Sequence, residues 1–118
     1  MNKIPAWCEG EDWCGITAAA NMIGKKWHPV ILHRLIESNM GFNDLKNSIP
    51  GITSKVLSES LDDLRKKRLV EKEIVQQKPK KVSYCLTPQG ENLKPALLEL
   101  GKWAEENLEE SNEKVPLG

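Results

Sequence analysis

Two groups of side chains in this sequence have types and spacings that could do chemistry. The first is Ser54, Lys55, Ser58 and Glu59, which fall on one side of a helical repeat. A lysine can donate to guanine O6 or N7 or to a phosphate, a serine can bond to either, and a carboxylate can accept from the cytosine amino group. Glu59 has a second use open to it. Repelled by phosphates, it could pair with Lys55 or Lys66 along the helix, for about 0.2–0.5 kcal/mol. The second group is Lys78, Lys80 and Lys81 around Pro79. Such a run suits backbone phosphates or an adjacent minor groove, where lysine acts as a point charge without sequence choice. The bland alternative is a solubilising edge loop.

Other chemistry is poorly represented. Cys8, Cys14 and Cys85 are an odd number, which argues against a disulfide framework. The C-x5-C spacing of the first two is not a zinc signature, and His28 and His33, five apart, fall on different helical faces. No metal or cofactor is expected. There is no Gly-rich phosphate loop and no nucleophile with an evident base, so the chain does not read as an enzyme.

The elements that must position the two groups follow from periodicity. Residues 16–23 are Ala-rich and end at Gly24, which predicts a short helix closed by a left-handed cap. Residues 26–38 place Trp27, Val30, Ile31, Arg34 and Leu35 at helical spacing, with Pro29 tolerable in the first turn. Asn43, a good N-cap after Phe42, starts a helix of barely two turns that Pro50-Gly51 ends. Thr53 caps the next helix, which runs to about Lys67. One of its faces is lined by Leu57, Leu61, Leu64 and Arg68, and the opposite face is polar. The period then changes. Residues 70–75 and 82–86 read as two strands around an exposed basic loop of residues 76–81. Cys85 alternates with the apolar face of its strand, which leaves it exposed or packed near the loop. Thr87-Pro88 opens a long last helix, kinked at Pro95, whose stripe includes Leu93, Ala96, Leu97, Leu100, Trp103, Ala104 and Leu108.

Three helices, a tight connection before the fourth, and then a hairpin with a basic tip make an α+β chain, mainly α. The order is that of a winged helix-turn-helix with a two-stranded β wing and a long C-terminal helix. Such a motif lays its second helix in the major groove with the N-terminal residues against base edges, which is where Ser54, Lys55, Ser58 and Glu59 stand. Overall charge argues the other way at first, because 17 Lys+Arg against 17 Asp+Glu sum to zero. The zero is an average. Residues 21–86 carry thirteen bases against seven acids, a net of +6, while residues 1–20 carry −2 and residues 87–118 carry −4. The 118 residues suit one domain, no apolar run reaches the ~20 residues of a bilayer span, and no signal peptide is visible, so the expected location is the cytoplasm.

Several segments together resemble the HxlR-type winged-helix transcription regulators, relatives of the MarR group, over about residues 14–104. They are Cys14-Gly15, Ile23-Gly24-Lys25-Lys26-Trp27, Phe42-Asn43-Asp44-Leu45, Pro50-Gly51-Ile52-Thr53 with Leu57 and Leu61, Pro79-Lys80-Lys81-Val82-Ser83-Tyr84, and Leu86-Thr87-Pro88-Gln89-Gly90. Two positions depart from the pattern: Lys25 stands where glycine is commoner, and Glu59 where a neutral polar residue is usual. The resemblance implies a homodimer on double-stranded DNA, with the first and last helices forming the subunit interface. Trp13, Ile16, Leu97, Leu100, Trp103 and Ala104 would contribute to it, and Lys26 and Asn43 would add contacts to the DNA backbone. It also implies that Cys14 occupies a position which in some relatives senses oxidants or electrophiles, although Glu9, Glu11 and Asp12 would raise its pKa.

A dimer also has a physical argument. Trp7, Trp13 and the leucine stripe are more apolar surface than a small winged domain can cover, unless the last helix folds back on its own domain. The expected organisation is an arm over residues 1–14, a DNA-binding and dimerisation domain over 15–108, and a polar, disordered tail over 109–118. The effector is not legible. The competing expectation is a winged-helix module for protein interaction that reads no bases.

Overall fold

Leucine and isoleucine spaced three and four apart hide one side of each of three successive helices, and the rest of the fold is arranged around them. The computed structural model describes residues 14–108. Trp13, and the expectations for residues 1–13 and 109–118, therefore lie outside the described residues. In order the elements are α1 (Gly15–Ile23), α2 (His28–Glu37), α3 (Phe42–Ser48), α4 (Ser54–Lys66), β1 (Val70–Gln77), β2 (Lys80–Leu86), α5 (Pro88–Glu91) and α6 (Lys94–Asn107). Ile31, Leu32 and Leu35 of α2, Leu45 of α3, and Leu57, Leu61 and Leu64 of α4 meet in one cluster, closed by Ile49, Ile52, Leu69 and Val70. None of these helices is long and apolar enough to cross a membrane.

α3 and α4 are joined by a tight turn in which Gly51 adopts φ 87°, a conformation that costs glycine least. The Thr53 side chain accepts the Val56 N–H at 3.1 Å, so the expected cap of α4 is in place. β1 and β2 form an antiparallel hairpin from Val70↔Leu86 to Gln77↔Lys80, with a bulge between Ile74 and Gln76. Met40 and Tyr84 exchange both backbone hydrogen bonds, at 3.2 and 2.7 Å, which ties the root of the wing to the α2–α3 connection.

Five local expectations need correction. Gly24 follows α1 at φ −78°, so it is not a left-handed cap. Glycine is needed there because a Cβ would lie 2.3 Å from the Ala20 carbonyl oxygen. Gly41, not Asn43, occupies the N-cap position of α3, and Asn43 is exposed in the first turn. Arg68 does not share the buried face of α4; it lies beyond the helix at φ 61° and is exposed. Gln76, Gln77, Lys80 and Lys81 pair across the hairpin despite their polarity, so the six-residue loop shrinks to Lys78-Pro79. The long kinked helix is two helices: α5 ends at Glu91, and Pro95 lies in the first turn of α6, where its missing N–H leaves no bond unmade.

Candidate nucleic-acid interface

α4 presents its two sides to different surroundings. Leu57, Ser60, Leu61 and Leu64 are buried, whereas Ser54, Lys55, Ser58 and Glu59 are all exposed on the N-terminal half. Glu59 forms no ion pair with Lys55 or Lys66, so the intrahelical alternative is not the arrangement adopted. The free N–H groups of the first turn and the aligned peptide dipoles favour anions at this end of the helix.

Two grooves lie on the helix-turn-helix, one between α3 and the wing and one against α4. On the wing side, a cavity of about 600 Å³ is bounded by Asn43 in α3 and by Lys72, Lys80, Lys81 and Tyr84 of the hairpin. The structure thus brings Asn43 together with two of the three expected wing lysines. Lys78, at the hairpin turn, does not line this groove. Neither Lys72 nor Tyr84 is among the contact residues expected from the sequence. The Lys72 Nζ stands 6.0 Å from the centroid of the Tyr84 ring, and the signal that could have found it is strand register, since Lys72 pairs with Tyr84. Burial pushes the Tyr84 phenol above its ordinary pKa, so it remains a neutral donor at physiological pH.

A second cavity, of about 390 Å³, lies between the α1–α2 turn and α4, bounded by Lys25, Lys26, Trp27, Val56 and Glu59. Lys26 Nζ is 4.9 Å from the centroid of the Trp27 ring, a cation–π contact that holds this basic corner beside the outward face of α4. Asp63 lies at the floor of the groove. It accepts from Lys67 Nζ at 2.9 Å and from His28 Nε2 at 2.7 Å, with Lys25 Nζ at 3.7 Å. These partners, Lys67 and then His28 foremost, hold the Asp63 carboxyl far below the usual carboxylate range against the opposing effect of burial. Lys67 Nζ also donates to the Asn21 carbonyl at 2.8 Å. α1, α2 and α4 are therefore laced together by charge-assisted bonds, which fix α4 in angle relative to the first two helices.

The cysteines have different fates. Cys85 is buried, its Sγ is 3.8 Å from Glu71 Oε1, and burial followed by the charges of Glu73 and Glu71 raises its pKa. That is the environment of an unreactive thiol. Cys14, immediately before α1, is disulfide-bonded, so the odd count did not keep all three sulfurs reduced. Of the expected interface residues, Ile16, Leu100 and Trp103 are exposed, Ala104 is half-buried, and Leu97 is buried at 9% exposure.

Comparison with known proteins agrees with this architecture. A regulator of Methanothermobacter thermautotrophicus, described as an uncharacterized HTH-type transcriptional regulator, is 34% identical over 111 residues, covering 92% of this chain and 85% of its own. The redox regulator HypR in its oxidized form superposes with a TM-score of 0.75 at 31% identity, covering 81% of this chain and 99% of that one. The reduced form of YodB from Bacillus subtilis gives 0.72 at 32% identity, covering 80% and 92%. YodB is also known in diamide-treated and quinone-bound forms. The family model for HxlR-like helix-turn-helix proteins matches residues 22–112. With its tight α3–α4 turn and two-stranded wing, this chain belongs to the HxlR-like helix-turn-helix family of transcriptional regulators.

Proposed function

We propose that this regulator is a homodimer that binds double-stranded DNA in a sequence-specific way, on a pseudo-palindromic operator. In this reading Ser54, Lys55, Ser58 and Glu59 meet base edges in the major groove, while Lys78, Lys80 and Lys81 of the wing, with Lys26 and Asn43, hold the sugar-phosphate backbone. The observation that carries it is the exposed polar N-terminal face of α4, on a helix-turn-helix whose wing contributes Lys72, Lys80 and Lys81 to one groove with Asn43. Lys72 joins the backbone group by its place in the wing-side groove. Residues 15–108 are the proposed functional unit. The proposed setting is the cytoplasm.

Dimerisation through α1 and α6 is supported by the exposure of Ile16, Leu100 and Trp103 on a protein of this size. Trp13 belongs to the same proposed interface. A two-fold dimer sets its two copies of α4 against half-sites about 34 Å, or a multiple of that, apart. Cys14 is proposed as the thiol–disulfide sensor. Its disulfide state, and the oxidized and reduced forms known for the similar regulators HypR and YodB, support that role.

The test is duplex binding against salt concentration. The logarithm of affinity should fall linearly with the logarithm of salt, and Lys80→Ala should reduce the slope by about one. Slopes unmoved by Lys55→Ala, Lys80→Ala and Lys81→Ala would instead favour a protein-interaction module. For the sensor, Cys14→Ser should abolish the change in DNA affinity that diamide causes; an unaltered response would remove Cys14 from that role.

A further inference from the structure

An open cavity of about 560 Å³ lies between the end of α4 and the root of the wing, away from the base-reading end of the helix. Arg65 of α4, Arg68 of the connection and Lys72 of β1 line it, opposed by one carboxylate, Glu71, so three positive charges less one negative leave +2. The cations are weakly compensated. Arg65 has Asp62 Oδ1 at 3.9 Å, and neither Arg68 nor Lys72 forms an ion pair among the described residues. The volume falls within the range of small-molecule pockets.

The backbone of this cavity is rigidly built. Arg68 is the one non-glycine residue at positive φ among those described, at 61°, a conformation that favours Gly, Asn and Asp. Thr87 locks it there. Its hydroxyl donates to the Arg68 carbonyl at 2.6 Å and accepts the Gly90 N–H at 3.0 Å, while the Thr87 N–H donates to the Leu69 carbonyl at 3.1 Å. Gly90 packs so closely that a Cβ would lie 2.3 Å from the Leu69 carbonyl oxygen. A guanidinium is thus carried on a constrained backbone whose surroundings are already bonded, as a preformed site requires.

We propose that this cavity binds a small multivalent oxyanion, a phosphate ester or polycarboxylate of metabolite size, and that its occupancy weakens DNA binding. Arg65 and Arg68 supply forked donors and Lys72 a point charge. Lys72 also lines the proposed DNA groove, so an anion beside it withdraws a cation from the phosphates and neutralises the adjacent field. The effect on DNA rests on the DNA-binding reading; binding of the anion does not.

Calorimetry of the full chain at 0.1 M KCl, with pyrophosphate and citrate as probes and no DNA present, tests the site. Saturable binding of at least one probe is expected, weakened at least tenfold by Arg68→Asn, a residue that tolerates the same backbone, and by Lys72→Gln. Absence of saturable binding, or binding indifferent to both substitutions, overturns the proposal. At constant ionic strength the bound probe should lower duplex affinity at least threefold in the wild type and not in Arg68→Asn. Equal weakening in both would contradict the coupling, and loss of DNA affinity in Arg68→Asn with no anion bound by either protein would assign the arginine to the DNA backbone instead.

Discussion

In α2, α3 and α4 the large apolar side chains turn inward, and Ile31, Leu32, Leu45, Leu57 and Leu64 have no exposed surface. In α1 and α6 the opposite holds. α1 buries no residue, α6 buries only Leu97, and Ile16, Leu100 and Trp103 keep 64%, 54% and 57% of their surface exposed. One region completes its core; the other, beyond Met22, Ile23 and Leu97, carries apolar surface that no described residue covers. The difference separates two tasks. The finished core fixes the angle between α3, α4 and the wing, so the proposed DNA face is rigid, while the unfinished layer is available to a second subunit.

Substitutions can break this contrast. Leu61→Ala removes a side chain from the centre of the finished core and should cost about 2–5 kcal/mol of stability in urea unfolding. A cost below 1 kcal/mol would mean the core is not the organising unit. Leu100→Ala with Trp103→Ala should leave the secondary structure intact but weaken self-association by about 2 kcal/mol or more, read by sedimentation across a concentration series. Unchanged sedimentation would show that the exposed stripe serves something other than a dimer.

Asp63→Asn tests the charged lacing of α4, with the smallest effect, about 1–2 kcal/mol near neutral pH. Because the folded state holds this carboxyl below its ordinary pKa, its contribution is complete above the unfolded value of about 3.9 and is lost as pH falls toward the folded value. The stabilities of wild type and variant should therefore converge in acid. A difference that is constant from pH 7 to pH 2 would refute the electrostatic account.

How far these features could be read from the sequence depended on whether their cause is local. The cap at Thr53 follows from its hydroxyl, the inward leucines of α4 and the polar residues opposite them follow from 3.6-residue periodicity, and the structure keeps all three. The hairpin was legible in its β-branched residues, but its extent was not, since Gln76, Gln77, Lys80 and Lys81 pair through backbone bonds that side-chain alternation does not report. Pro95 was ambiguous for a related reason. A proline fits either a kink or a first turn, and only the break at Asn92 and Leu93 decides. The contacts of His28 with Asp63, 35 residues apart, and the grouping of Lys72 with Asn43 needed the tertiary fold. Arg68 was misplaced because its spacing continues the helical face, whereas the chain has already turned into the left-handed region.

If α4 reads bases in a two-fold assembly, selection of bound duplexes from a random pool will show it in the motif recovered. Two inverted half-sites are expected, with centres about one helical turn, or a multiple of it, apart, and Lys55→Ala should lose preference at one position in each half-site while keeping the rest. A single unpaired half-site, or a motif unchanged by Lys55→Ala, Ser58→Ala and Glu59→Ala alike, would contradict it.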